Sequence, residues 1–226
     1  MKYKYQMHTH TYPCSLCSKM SSEELAKSIG ESDYSGVVIT NHFIGGNTGI
    51  DRKLEWVDFV KAFENDYERC KEAAKEYDID ILFGVEENVD KGREILVYGL
   101  TPEILYQNEK LRNHRIADWR EIADRHGLLI VQAHPYRERP YIVEPGVLPI
   151  DMLDGIEVYN LYNKPEENEK AEKLAAMNPN LILLSGADAH NPAPALISGI
   201  ACEERMRNEK DLVRILKSGK YDLIVQ

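Results

Sequence analysis

No stretch of this sequence approaches the ~18 apolar residues of a membrane-spanning helix, and Met1-Lys2-Tyr3-Lys4-Tyr5 is not a signal-peptide type of opening. Four cysteines, at 14, 17, 70 and 202, do not make the disulfide framework of a secreted protein in a chain of 226 residues. Positive charge is in deficit. The formal net charge of -10 argues against broad binding to nucleic acid or anionic membranes. It leaves an anionic substrate open, because divalent cations reverse the sign of the field inside a pocket. No G-x-G-x-x-G follows the first strand-like run, which removes the phosphate loop expected of a doubly wound sheet. What remains is the expectation of a cytoplasmic enzyme with reduced thiols.

Strand-like and helix-like patterns alternate from end to end without a linker, so residues 1–226 are expected to form a single domain. Ser21, with Glu24 three residues on, marks a helix start. Residues 51–77 carry apolar side chains at steps of three and four, from Leu54 and Val57 to Tyr77, one buried helical face. Residues 109–125 read as a helix ended by Gly127, and helices are also expected over 165–177 and 211–217. Short apolar runs at 79–85, 95–100, 128–133, 155–159, 181–185 and 221–225 read as strands. The repeated strand–helix order predicts a parallel α/β barrel.

Five of the seven histidines, with one glutamate and one aspartate, stand just after strand-like runs. His8 and His10 follow residues 3–7, His42 follows 37–41, Glu86 follows 79–85, His134 follows 128–133, and Asp188 and His190 follow 181–187. Imidazoles and carboxylates at the C-terminal ends of successive strands are what a barrel needs to ring divalent metals at its mouth. In an extended chain His8 and His10 face the same side, and so do Asp188 and His190. A carboxylate can bridge two metals, and Glu86 is preferred over Glu87 because Glu87 would be offset from the strand end. Pro135 holds His134 extended, and Gly186 is expected to allow a tight turn before Asp188. The long loop 135–149 has the place of a substrate-binding segment, and 45–51 is expected to help shape the pocket.

Other polar residues carry plainer readings. Glu157 takes an inward strand position and is expected to be structural or to support a ligand histidine. His114 and His126 belong to the helical segment and are expected at the surface. Cys14 and Cys17 form a lone C-x-x-C. Packing of the loop near the site is the first reading, and a soft ligand to a third metal the other.

Together these motifs resemble the polymerase and histidinol phosphatase (PHP) superfamily. The resemblance runs from His8 to His190 through His8-Thr9-His10, Thr40-Asn41-His42, Gly84-Val85-Glu86, Ala133-His134-Pro135 and Gly186-Ala187-Asp188-Ala189-His190. It implies a distorted (β/α)7 barrel with two or three divalent metals, zinc, manganese or iron. By resemblance, His8, His10, Glu86 and Asp188 would hold one metal, Glu86 and His134 a second with Glu94 beside them, and His42 and His190 a third. The chain departs from the pattern at Asn41, where aspartate is usual, at residues 14–17, where a histidine is often found, and at Glu94, near the place of another histidine.

The resemblance implies a phosphoric ester hydrolase acting on a small phosphorylated substrate through a metal-bridged hydroxide. Glu86 and His190 would take part in catalysis, with Arg137 and Arg139 as phosphate clamps. Two alternatives stay open: an amidohydrolase-type metal hydrolase, and a metal-binding domain with weak or no catalysis.

Overall fold

The apolar runs become strands because the barrel buries them on both faces, so they need no alternating polar side. All four residues of β2 (Gly36–Ile39) and of β5 (Leu129–Gln132) are buried. The remaining strands are β1 (Tyr3–Gln6), β3 (Asp80–Asp90), β4 (Arg93–Tyr98), β6 (Gly155–Asn160), β7 (Ile182–Gly186), β8 (Gly199–Cys202) and β9 (Tyr221–Ile224). The structure, a computed structural model, describes residues 2–192 and 197–226.

The strands form one sheet in the order β7-β6-β5-β4-β3-β2-β1-β8-β9. It curls into a nearly closed barrel. Beyond β7 the chain meets the chain beyond β1 in a parallel bridge between Thr9 and Ala189, where His10 N donates to Ala189 O at 2.9 Å and Ala189 N to His8 O at 3.1 Å. Strands β1, β2, β3, β5, β6 and β7 run the same way.

The expected strand–helix alternation is broken in two places. Strands β3 and β4 form an antiparallel hairpin, so β4 runs opposite to its neighbours. Strand β8 pairs antiparallel with β1 and β9. The pairing with β4 also extends β3 to Asp90, so Glu86 lies within a strand and not after it. The expected parallel ring is therefore a mixed one. Because β4 pairs only from Gly84 upward, the Phe83 N–H finds its acceptor in Glu209 Oε1 at 3.1 Å.

Among the described residues, six α-helices pack around the sheet: α1 (Ser22–Gly30), α2 (Trp56–Ala74), α3 (Pro102–Tyr106), α4 (Ile116–His126), α5 (Pro165–Met177) and α6 (Glu209–Ser218). Helix α1 starts with the reciprocal cap read from the sequence: Glu24 N donates to Ser21 Oγ at 3.2 Å and Ser21 N to Glu24 Oε2 at 2.8 Å. The single helix expected over 109–125 is instead a 3-10 turn, Glu109–Asn113, then α4, separated by His114 at φ 43°. Val57 is exposed, whereas Phe59, Val60, Phe63, Tyr67 and Cys70 of α2 are buried.

The core has two parts. Tyr5, Met7, Val38, Leu82, Leu96, Tyr98 and Leu129 fill the barrel interior, and Leu212, Ile215 and Leu216 of α6 join them. The outer faces of the strands and the other helices enclose the second cluster around Phe43, Phe59, Phe63 and Trp119. None of the helices among the described residues is long and apolar enough to cross a membrane.

Candidate metal centre

Alternation along the chain after β1 aims His8 and His10 into the barrel mouth and turns Thr9 away. Thr9 Oγ1 donates to Val38 O at 2.8 Å, while His8 Nε2 and His10 Nε2 lie 3.1 Å apart. His42 leaves the end of β2 and bridges to Glu86 on β3. Glu94 opens β4, and because that strand is reversed, its first residues lie at the same mouth as the last residues of its neighbours. His134 follows β5 at φ 28°, not in the extended conformation expected before Pro135, and Asp188 follows β7 at φ 51°. Two site residues thus hold left-handed backbone, a conformation that costs energy for residues other than glycine and collects at functional sites.

Glu86 stands at the centre. Its Oε1 is 3.1 Å from His8 Nε2 and 3.1 Å from His134 Nε2, and its Oε2 is 2.8 Å from His42 Nδ1 and 3.4 Å from His10 Nε2. Asp188 Oδ1 lies 3.1 Å from His10 Nε2, 3.5 Å from His8 Nε2 and 3.7 Å from His190 Nδ1. Glu94 approaches His134 Nε2 at 3.5 Å and His42 Nδ1 at 3.9 Å. Donor atoms converge in four overlapping groups: His8, His10 and Asp188; His8, Glu86 and His134; His42, Glu86 and Glu94; His10, His42 and His190. All eight side chains read from the sequence as ligands are in this one cluster.

The donor set fits cations better than it fits itself. His42 Nδ1 and Glu86 Oε2 are buried and only 2.8 Å apart, yet neither has a hydrogen-bond partner. A buried polar atom without a partner is costly, and a carboxylate oxygen and an imidazole nitrogen aimed at a common point are what a cation between them requires. Charge tells the same story. Burial alone would keep Glu86 protonated, but His8 and His42 outweigh it and hold the carboxyl well below the usual carboxylate range. Burial and the Glu86 charge push Glu94 up to about 8. Burial, with His42 and His190 nearby, pushes His10 down to about 3, leaving a neutral imidazole with a free lone pair.

A supporting layer orients these groups. Glu157 Oε1 accepts from His8 Nδ1 at 3.0 Å, while its Oε2 accepts from His134 N and Asn160 Nδ2, each at 2.8 Å. Ser15, which sequence reasoning missed, accepts from His10 Nδ1 at 3.2 Å and from His42 N at 2.9 Å, and donates to Asn41 Oδ1 at 2.9 Å. That pattern fixes the proton on His10 Nδ1 and frees Nε2 for the cluster. Asn41 Nδ2 donates to Asp66 Oδ2 at 3.1 Å and to Thr11 Oγ1 at 2.8 Å. An aspartate at 41 would set two buried carboxylates against each other, so the departure from the family pattern at this position goes with Asp66.

A cavity of about 450 Å³ opens over the cluster, lined among others by His42, Glu86, Glu94, His134, Arg137 and Tyr141. Arg137 is buried. It donates from Nη1 to Asp188 Oδ2 at 2.6 Å, from Nη2 to Asn160 Oδ1 at 2.6 Å and from Nε to Asn163 Oδ1 at 2.9 Å. Arg139 is not brought to the site: its Nη1 meets Glu167 Oε1 at 2.9 Å and its Nη2 donates to Tyr162 O at 2.6 Å. Arg139 has its acceptors in the Glu167 and Tyr162 segments, which claim the side chain. His190 Nδ1 lies 2.7 Å from Asp188 O, and its Nε2 lies 3.0 Å from Cys17 Sγ. Burial would raise the Cys17 thiol, but hydrogen bonds from His190 and His42 bring it down to about 6. His114 and His126 are exposed, and neither belongs to the converging donor groups among the described residues.

No family profile and no curated protein matches the chain by sequence. Solved structures match in fold. A two-domain protein from Bacteroides vulgatus, containing a predicted PHP-like metal-dependent phosphoesterase, aligns with a TM-score of 0.75 at 15% identity, covering 100% of this chain and 65% of that one. The chain thus spans less than two thirds of that protein's length. An amidohydrolase from Chromobacterium violaceum, with bound sulfate and no metal, aligns at TM-score 0.62 and 15% identity over 99% of both chains. The lesion-specific endonuclease Q from Pyrococcus furiosus aligns at TM-score 0.65 and 12% identity, over 99% of this chain and 58% of that one. At such identities the likeness establishes the fold, which this chain shares with all three.

Proposed function

We propose that the chain is a metal-dependent phosphoesterase of the PHP superfamily, acting on a small phosphate ester. The observation that carries the reading is the unpartnered contact of Glu86 Oε2 with His42 Nδ1 at 2.8 Å, inside a ring of imidazoles and carboxylates. His8, His10, Glu86 and Asp188 would hold one cation, Glu86 with His134 and Glu94 a second. Bound there, divalent cations supply an activated water and neutralise charge on phosphoryl oxygens.

The residues do the rest. Glu157 and Ser15 hold His8 and His10 in one tautomer and one orientation. Arg137 has three of its five N–H donors committed to Asp188, Asn160 and Asn163. The Tyr141 hydroxyl hydrogen-bonds to the guanidinium on the cavity side, where a phosphoryl oxygen would take its place, and the three fixed contacts set the fork in place before substrate arrives. Tyr141 closes the cavity beside it.

The amidohydrolase alternative expects a lysine bridging the metals. No lysine lines this cavity among the described residues, and the bridging place is held by Glu86. A long nucleic acid as substrate is disfavoured by the net charge of -10. The test is a purified, metal-loaded protein offered aryl phosphate monoesters and diesters, with Glu86→Gln as control. Hydrolysis lost in the variant supports the reading, and a metal-loaded protein that cleaves neither ester class refutes it.

A further inference from the structure

Cys17 is the one exposed cysteine, whereas Cys14, Cys70 and Cys202 are buried. The loop that carries it is tied to the site on both sides. Ser18 Oγ donates to His10 O at 2.9 Å, Lys19 N to His190 O at 3.0 Å, and Leu16 N to Asn47 O at 3.0 Å. Cys17 Sγ therefore has a defined place, 3.0 Å from His190 Nε2 and facing His42. His190 Nδ1 lies against a carbonyl, which can only accept, so Nδ1 keeps its proton and Nε2, facing Cys17, is the nitrogen that can bind a metal.

The group of His10, His42 and His190 is short of a donor. His10 Nε2 is drawn to Asp188 at 3.1 Å, and His42 Nδ1 to Glu86 at 2.8 Å, so both are shared with the neighbouring groups. His190 and Cys17 lie at the edge, where that competition is weakest. We infer that Cys17 is a thiolate ligand of a cation held with His190 and His42, which makes this position a nitrogen-and-sulfur site for a borderline-soft metal such as zinc. The inference rests on the hydrolase reading for the neighbouring cations.

Sulfur and nitrogen on one tetrahedral zinc stand about 3.5 Å apart, so the present contact must open by roughly half an ångström. A rotation of the exposed Cys17 side chain suffices. Binding sends the thiol proton to solvent and leaves the sulfur as the soft donor that magnesium and manganese do not favour. Cys14 has no such place, being buried in the outer core cluster.

The experiment reloads metal-free protein with cobalt(II) and records its near-ultraviolet spectrum for wild type and Cys17→Ser, with alkylation of Cys17 by iodoacetamide followed with and without zinc. Expected are a thiolate-to-cobalt charge-transfer band in wild type only, cobalt content lower by about one per chain in the variant, and alkylation slowed about tenfold or more by zinc. Wild type that binds cobalt without the band, a band that survives in Cys17→Ser, or alkylation indifferent to zinc overturns the inference while leaving the hydrolase reading standing. Wild type that binds no cobalt at all sinks both.

Discussion

Glu86 and Glu87 are neighbours on β3, and the pleat sends them into different surroundings. Glu86 enters the ring of imidazoles, whereas Glu87 Oε1 accepts from Gly45 N at 2.5 Å and its Oε2 has no partner. Burial pushes the Glu87 carboxyl well above the usual range, so it is held neutral. Glutamine in place of Glu86 would keep the size of the side chain and lose the charge between two cations, so Glu86→Gln should abolish ester hydrolysis and lower metal content measured by elemental analysis. Glu87→Gln should keep both. The sign of its stability effect follows from the raised pKa. An unfolded glutamate ionises near pH 4.3, and above that pH the folded protein is penalised for keeping Glu87 protonated. Glutamine carries no such penalty, so the variant should melt no lower than wild type at pH 7, and any advantage should vanish below about pH 4. Asp188 offers a parallel comparison. Asparagine tolerates its left-handed backbone, so Asp188→Asn should stay folded by circular dichroism while losing about one cation per chain.

At the scale of elements, the close approach of β7 to β1 and β6 decides whether the ring assembles. A Cβ on Gly186 would lie 2.0 Å from Glu157 Oε1 and 2.8 Å from His8 Cβ. The sequence suggests a tight turn here, but Gly186 is not among the glycines at positive φ, and what it provides is room. Gly186→Ala should therefore displace Glu157 from His8 and weaken metal binding by about 10–100-fold, measurable by competition with a chelator, while the strands stay paired. Much of the site was legible because period-two spacing and strand ends mark direction: His8, His10, His42, His134, Asp188 and His190 all fell into place. Glu94 was legible as a ligand only through resemblance, since its location depends on β4 running backwards, and no local pattern reveals the direction of a strand. Strand β8 escaped notice because Gly199–Cys202 is four residues long and has no periodicity to read. Ser15 escaped for another reason, although Asn41, its partner, stood out as a departure from the resembled pattern. Their roles come from atoms 26 positions apart in the chain meeting at 2.9 Å, and hydrogen bonds across the barrel leave no trace in spacing. Arg139 shows the converse, a residue of the right type and nearly the right place captured by Glu167.

For the whole molecule, the cluster makes stability depend on metal and pH together. Without cations, the buried carboxylates are balanced by imidazolium. Burial works against the charge on His8 and His42, yet Glu157 and Glu86 raise His8, and Glu86 raises His42, well above the usual histidine value. A raised histidine contributes stability that is complete below the unfolded value, about 6.5, and is lost as pH climbs toward the folded one. The depressed carboxyls of Glu86 and Asp188 act in the other direction, contributing above their unfolded values near 4 and failing as pH falls below them. The contributions of these four groups are therefore complete together only between about pH 4 and 6.5. Above that window the imidazoles give up their protons, the carboxylates lose their counter-charge, and a divalent cation is the group that can replace it. Cation binding itself favours neutral imidazole and ionised carboxylate, so its stabilisation must grow with pH. Thermal melts of chelator-treated protein, with and without added zinc or manganese, should show a larger rise in Tm at pH 8 than at pH 6. An equal rise at both, or none, would mean that the buried charges are not balanced by metal, and that the ring at the barrel mouth is held together by its own hydrogen bonds.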